Sequence, residues 1–157
     1  MQKITPTLWF DGKAEEAAQF YTSVFDNSRI TDVQRYGKAG PGEEGSVMLV
    51  VFELDGLRYQ ALNGGPEFTF NEAVSLSVDC ASQEEVDRLW STLTADGGQE
   101  GPCGWLKDKY GLSWQIVPRE LMTLMADPDP DVSARVAGEL FRMKKIDVAA
   151  LREAARG

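Results

Sequence analysis

Gly56-Leu57-Arg58-Tyr59-Gln60-Ala61-Leu62 and Gly111-Leu112-Ser113-Trp114-Gln115-Ile116-Val117 spell one phrase twice: Gly-Leu-x-aromatic-Gln-aliphatic-aliphatic. A second echo lies upstream of each copy. Glu15-Glu16, Phe20-Tyr21 and Thr22-Ser23 correspond to Glu84-Glu85, Leu89-Trp90 and Ser91-Thr92. The chain therefore reads as an internal duplication, each module placing its helix early and its Gly-Leu strand last. A repeated unit too small to bury its own apolar face closes its core against its copy, and the groove between copies is the expected ligand site.

In module one, residues 4–10 read as a first strand, with Pro6 near a strand end that tolerates a missing N–H. Asp11-Gly12 stops it. Ala14, Ala17, Ala18, Tyr21, Val24 and Phe25 then recur at helical spacing. Residues 30–36 are a second strand, 37–45 a Gly/Pro-rich hairpin tip, and 46–54 with 57–62 a hairpin across Asp55-Gly56. In module two, Val74, Leu76 and Val78 alternate along a strand. Ser82-Gln83-Glu84-Glu85 is a capping box, and the helix it opens buries Val86, Leu89, Trp90 and Leu93 before Gly97-Gly98 ends it. Residues 99–107 give a weak signal, with Cys103, Trp105 and Lys107 on one face, and 112–117 form the last strand. Beyond Pro118 the period is helical. Val132, Val136 and Leu140 form a row, and Ile146 and Leu151 flank an Asp147 cap as a hydrophobic staple.

The 157 residues fit one domain, and 43% apolar content suffices for a core. A formal net charge of −9 opposes nucleic acid or an anionic membrane as partner, since both need clustered cations. No apolar run is long enough to span a bilayer and the N-terminus has no signal-peptide pattern, so a cytoplasmic location is expected. Cys80 and Cys103 read as reduced thiols rather than a disulfide scaffold. Histidine is absent, which removes Ser-His-Asp triads, Cys-His dyads and His-ligated metal sites.

Two modules of this kind resemble the vicinal oxygen chelate superfamily, the glyoxalase, bleomycin-resistance and extradiol dioxygenase group. Residues 5–12 (Thr-Pro-Thr-Leu-Trp-Phe-Asp-Gly), 61–66 (Ala-Leu-Asn-Gly-Gly-Pro) and 103–115, from Cys103-Gly104-Trp105 to Ser113-Trp114-Gln115, are similar to its PhnB-like branch, often labelled a 3-demethylubiquinone-9 3-methyltransferase domain. Met143-Lys144-Lys145-Ile146-Asp147 extends the resemblance into the tail. It implies an α+β fold of two tandem βαβββ modules, 1–65 and 70–118, forming a curved mixed-sheet cup, with a helical extension over 119–157 in one domain. It also implies a homodimer. In catalytic relatives a divalent metal is held by the first and last strands of each module. Those positions fall here near Pro6, at Gln60, at Ala73 or Ser75, and at Gln115.

Two neutral carboxamides without His, Cys or carboxylate are weak ligands for a divalent ion. No strand leads through a Gly-rich turn into a helix able to seat a nucleoside cofactor, which weighs against methyl transfer. The expected function is binding of a small aromatic or amphipathic molecule, with no metal and no cofactor. Gln60 and Gln115 would orient the ligand, and Tyr59, Trp105 and Trp114 would supply contact area. A purely structural role for both glutamines is the competing reading, and aromatics on strands are more often core. Cys103 lacks an imidazole to activate it, with only Lys107 nearby, and Asn63-Gly64-Gly65 reads as a turn before it reads as an anion site. The alternative function is a metal-dependent lyase, isomerase or dioxygenase of the glyoxalase type. A third is an interaction protein working through its tail.

Overall fold

A computed structural model describes all residues, 1–157, and the chain forms two compact units, 1–69 and 70–157. The first runs β1 (Thr7–Phe10), α1 (Ala14–Val24), β2 (Arg29–Arg35), β3 (Val47–Leu54) and β4 (Leu57–Asn63). Its sheet has the order β1-β4-β3-β2, with β1 parallel to β4 and the other pairs antiparallel. The second repeats this with β5 (Ser75–Cys80), α2 (Gln83–Thr94), β6 (Gln99–Glu100), β7 (Trp105–Lys107) and β8 (Ser113–Pro118), in the order β5-β8-β7-β6. β5 is again parallel to β8. The twice-written phrase is thus a repeat of topology, since β4 and β8 hold the same slot beside a parallel edge strand.

Local chemistry accounts for these elements. Asp55 and Gly56 adopt φ of 47° and 78°, the paired left-handed geometry that matches the twist of the hairpin strands. Lys13 gives α1 no side-chain cap, and the Ala14 amide donates instead to Asn63 Oδ1 at 2.9 Å. One strand-end side chain therefore fixes where the helix starts. Ala14, Ala17, Ala18, Tyr21 and Val24 are buried, and Tyr21 stacks on Phe52, which stacks on Tyr59. In α2 the Ser82 hydroxyl accepts from the Glu85 amide at 3.2 Å, while the Glu85 carboxylate accepts from the Ala81 amide at 2.8 Å. The capping box forms with its return bond displaced by one residue.

The first strand is shorter than its apolar pattern predicts, because Ile4 is 85% exposed and pairing begins at Thr7. The Gln2 carboxamide takes over there, accepting from the Arg58 amide at 2.9 Å and donating to its carbonyl at 2.8 Å. Val74 lies just outside β5 and is 68% exposed, so only Leu76 and Val78 of its predicted row sit on the strand. The weak signal over 99–107 resolves into two very short strands.

The tail belongs to the second unit. It forms α3 (Arg119–Met125), α4 (Pro130–Leu140) and α5 (Val148–Arg156). Leu121, Val136, Ile146 and Leu151 make a core of their own, with Val117, Val132 and Leu140 packed against it. Asp147 Oδ1 accepts from the Ala150 amide at 3.2 Å, so the predicted cap and staple are both present. The Gln83 carboxamide joins tail to body, donating to the Ile146 carbonyl at 2.9 Å and accepting from the Val148 amide at 2.8 Å.

Candidate functional site

Strand alternation divides each sheet into a face packed by α1 or α2 and a face free of that helix, the latter covered in the second sheet only where Val117, at the end of β8, meets the tail core. In β4, Tyr59 lies opposite Phe52 and Ala61 opposite Val50, all on the α1 side, so Gln60 points to the other face. In β8, Trp114 and Ile116 lie opposite Leu76 and Val78, and Gln115 likewise occupies the helix-free face. Gln60 Oε1 accepts from the Thr7 hydroxyl at 3.0 Å. Gln115 Nε2 donates to the Ser75 hydroxyl at 3.0 Å. The two glutamines are equivalent in place and opposite in the end of the amide they use. Of the metal positions the resemblance implied, Thr7 rather than Pro6 faces Gln60, and Ser75 rather than Ala73 meets Gln115.

The aromatic candidates separate. Trp105 lies opposite Gln115 on adjacent strands and shares its face. Trp114 does not. It is 2% exposed, with Nε1 donating to Asp108 Oδ2 at 2.9 Å, and has no surface left for a ligand. Tyr59 is also on the helix side, where burial pushes its phenol pKa up. Both neighbour a glutamine in sequence, and a one-residue step along a strand reverses the face. The sequence places Asp108 at the start of a turn, Asp108-Lys109-Tyr110-Gly111, into the last strand, but does not show that it seats Trp114. Asp108 is 2% exposed, and its Oδ1 accepts from the Tyr110 and Leu112 amides at 2.8 and 3.1 Å, setting the turn into β8. The available signal was Asp108 three residues before Gly111, an Asx-type turn. Asn63-Gly64-Gly65 works as a turn. The Gly64 amide donates to the Phe10 carbonyl, the Gly65 carbonyl accepts from Trp9 Nε1 at 2.8 Å, and a Cβ on Gly64 would strike the Trp9 ring at 2.4 Å.

A hollow of about 480 Å³ lies in the second unit, lined among others by Glu72, Pro102, Cys103, Trp105, Lys107 and Ser113. Ser113 is 1% exposed and its hydroxyl has no hydrogen-bond partner. The Lys107 ammonium pairs with the Glu72 carboxylate, and that hydrogen bond holds the carboxyl below its usual range. Lys107 is therefore engaged with Glu72. The first unit has a hollow of about 650 Å³ beside the 37–45 loop, lined by Asp11, Glu15, Glu16, Tyr36 and Asn63 among others. Burial, with Glu85 and Asp79 nearby, pushes the Cys80 thiol up to about 12, which leaves it without thiolate character.

No three His, Cys, Asp or Glu side chains converge as a metal site. The groups at the implied ligand positions are hydroxyls and carboxamides, a neutral donor set that does not fit a tightly bound divalent ion.

Two βαβββ units, each with a parallel pair at its sheet edge and a polar group on the helix-free face of its last strand, define a protein of the glyoxalase/bleomycin-resistance fold. The chain belongs to the 3-demethylubiquinone-9 3-methyltransferase (PhnB-like) family, whose pattern matches residues 2–117. The match ends before the tail. The PhnB protein of Bacillus cereus is 42% identical, with a TM-score of 0.67 over 74% of this chain and 99% of its own. Protein PA1353 of Pseudomonas aeruginosa shares the fold at 19% identity, with a TM-score of 0.61 over 75% and 98% of the two chains. The fosfomycin resistance protein FosX of Listeria monocytogenes does so at 15% identity, with a TM-score of 0.53 over 75% and 93%. A comparison with curated proteins finds no match.

Proposed function

We propose that the chain binds a small aromatic or amphipathic molecule on the helix-free face of its second sheet, without a tightly held metal. The observation that carries this is the hollow of about 480 Å³ with Pro102, Cys103 and Trp105 in its wall. Trp105 lies opposite Gln115, so apolar surface and an orienting carboxamide stand on adjacent strands. A largely apolar concavity with a few placed polar groups suits recognition. No residue on that face pairs a nucleophile with a base, which favours binding over acid–base turnover. Gln60 is the matching group on the first sheet, and we extend the proposal to it. Methyl transfer is not part of this reading. β1 reaches α1 through Asp11-Gly12-Lys13 and β5 reaches α2 through Ala81-Ser82, and neither is a Gly-rich nucleotide turn.

Native mass spectrometry of the purified protein should reveal a bound small organic molecule, and elemental analysis should find no stoichiometric transition metal. Replacing both Gln60 and Gln115 by Leu should weaken that binding by about 1 kcal/mol per lost hydrogen bond while leaving the fold intact. Stoichiometric zinc, nickel, manganese or iron that disappears in the double variant would reverse the assignment and favour a metal-assisted lyase, isomerase or dioxygenase.

A further inference from the structure

We infer that the hollow of the second unit is a site for a small organic anion, a carboxylate held between Lys107 and Ser113 with its aromatic body on Trp105. This rests on the binding reading above and adds the ligand's chemical class. Lys107 lies opposite Ser113 across β7 and β8, which places an ammonium and a hydroxyl on one face at neighbouring positions. The Ser113 hydroxyl is buried and unpartnered, an arrangement that costs free energy and is relieved by a ligand acceptor. Lys107 is the one cation lining the hollow. The second acid there, Glu100, is turned away, accepting from Trp90 Nε1 at 2.7 Å from a position opposite Leu106 on the helix side.

Glu72 then acts as a tethered competitor. Its carboxylate comes from the segment before β5 and occupies the Lys107 ammonium, the partner a ligand carboxylate would take. Both side chains are substantially exposed, so the pair is weak and exchange for another carboxylate costs little. The Pro102, Cys103 and Trp105 wall supplies the apolar contact that Glu72 lacks.

The test is a titration of the full chain with 1-naphthylacetate and with 1-naphthylacetamide, its neutral counterpart, followed by amide and indole NMR shifts. The acid should shift Trp105, Lys107 and Ser113 and bind about tenfold more tightly than the amide. Lys107→Met should erase that preference, and Glu72→Gln should tighten the acid several-fold. Ser113→Ala separates function from structure. It should weaken the acid while melting no lower than the parent, whereas a hydroxyl serving the fold would lower the melting temperature. Equal affinity for acid and amide, with shifts at Trp105, overturns the anion assignment and leaves the binding reading standing. Absence of shifts at both Trp105 and Gln115 with either compound overturns both. A Glu72→Gln variant that binds the acid no better than the parent also overturns the proposal.

Discussion

At Asp108 one buried carboxyl accepts from two backbone amides and an indole N–H, so the turn into β8 and the seat of Trp114 depend on a single side chain. Asp108→Ala should lower unfolding free energy in urea by about 3 kcal/mol and shift tryptophan emission, because it leaves donors buried without partners. Asp108→Asn, which keeps one acceptor oxygen, should lose less. Cys80 gives a second residue-level expectation. With its thiol pushed up to about 12 and the residue buried, iodoacetamide near neutral pH should label it only after unfolding. Native labelling of Cys80 would contradict that placement. The site was partly legible at this scale: Gln60, Gln115 and Trp105 share helix-free faces as alternation allows. Trp114 was not, because its burial depends on Asp108, six residues away and carrying no apolar signal.

The tail helices hold to the second unit through a small core and a few polar clasps. Leu151→Ala should cost about 2–5 kcal/mol, measured by urea denaturation, since Leu151 is fully buried with Ile146 and Val136. Gly104 has φ of 84°, and a Cβ there would stand 2.7 Å from Ile146 Cδ1 and 3.1 Å from the Ile116 carbonyl. Its amide also donates to the Lys144 carbonyl at 2.8 Å, so substitution strains the backbone where the tail docks. The Glu120 carboxylate receives two hydrogen bonds from Arg152, which hold its pKa below the ordinary 4.5. A depressed carboxyl stabilises the fold fully above its unfolded value, and the contribution is lost as pH falls through the lower folded one. Glu120→Gln should therefore lose less stability than the parent on acidification from pH 7 to about pH 3. An identical acid profile would count against this coupling. The row Val132, Val136 and Leu140 and the Asp147 staple were readable because helical spacing is local. Gln83 was not, since its partners lie more than sixty residues away.

For the molecule as a whole, each four-stranded sheet ends on two edge strands, and the tail exposes Met122 and Phe141. Unpaired edges and surplus apolar surface favour self-association, and a two-fold dimer is the expected state. Light scattering should give twice the 17.3 kDa of the chain. A monomer at working concentration would refute it. Added zinc, nickel, manganese or iron should leave the melting temperature unchanged, because a metal bound only by the native state would raise it by mass action. No helix is long and apolar enough to cross a membrane.

What could be read from the chain alone was the duplication, from its repeated phrase, and the strand alternation, the helical rows and the caps of α2 and α5, from local spacing of 2 or 3.6 residues. The sequence also determined the absence of imidazole chemistry, which no folding can restore. Tertiary folding alone set the start of α1 through Asn63, let Gln2 stand in for strand pairing and closed the tail on the second unit. It likewise placed Trp114 in the core and left the Ser113 hydroxyl without a partner near the Lys107–Glu72 pair. Those outcomes depend on contacts between residues far apart in the chain, and local periodicity carries no information about which distant groups meet.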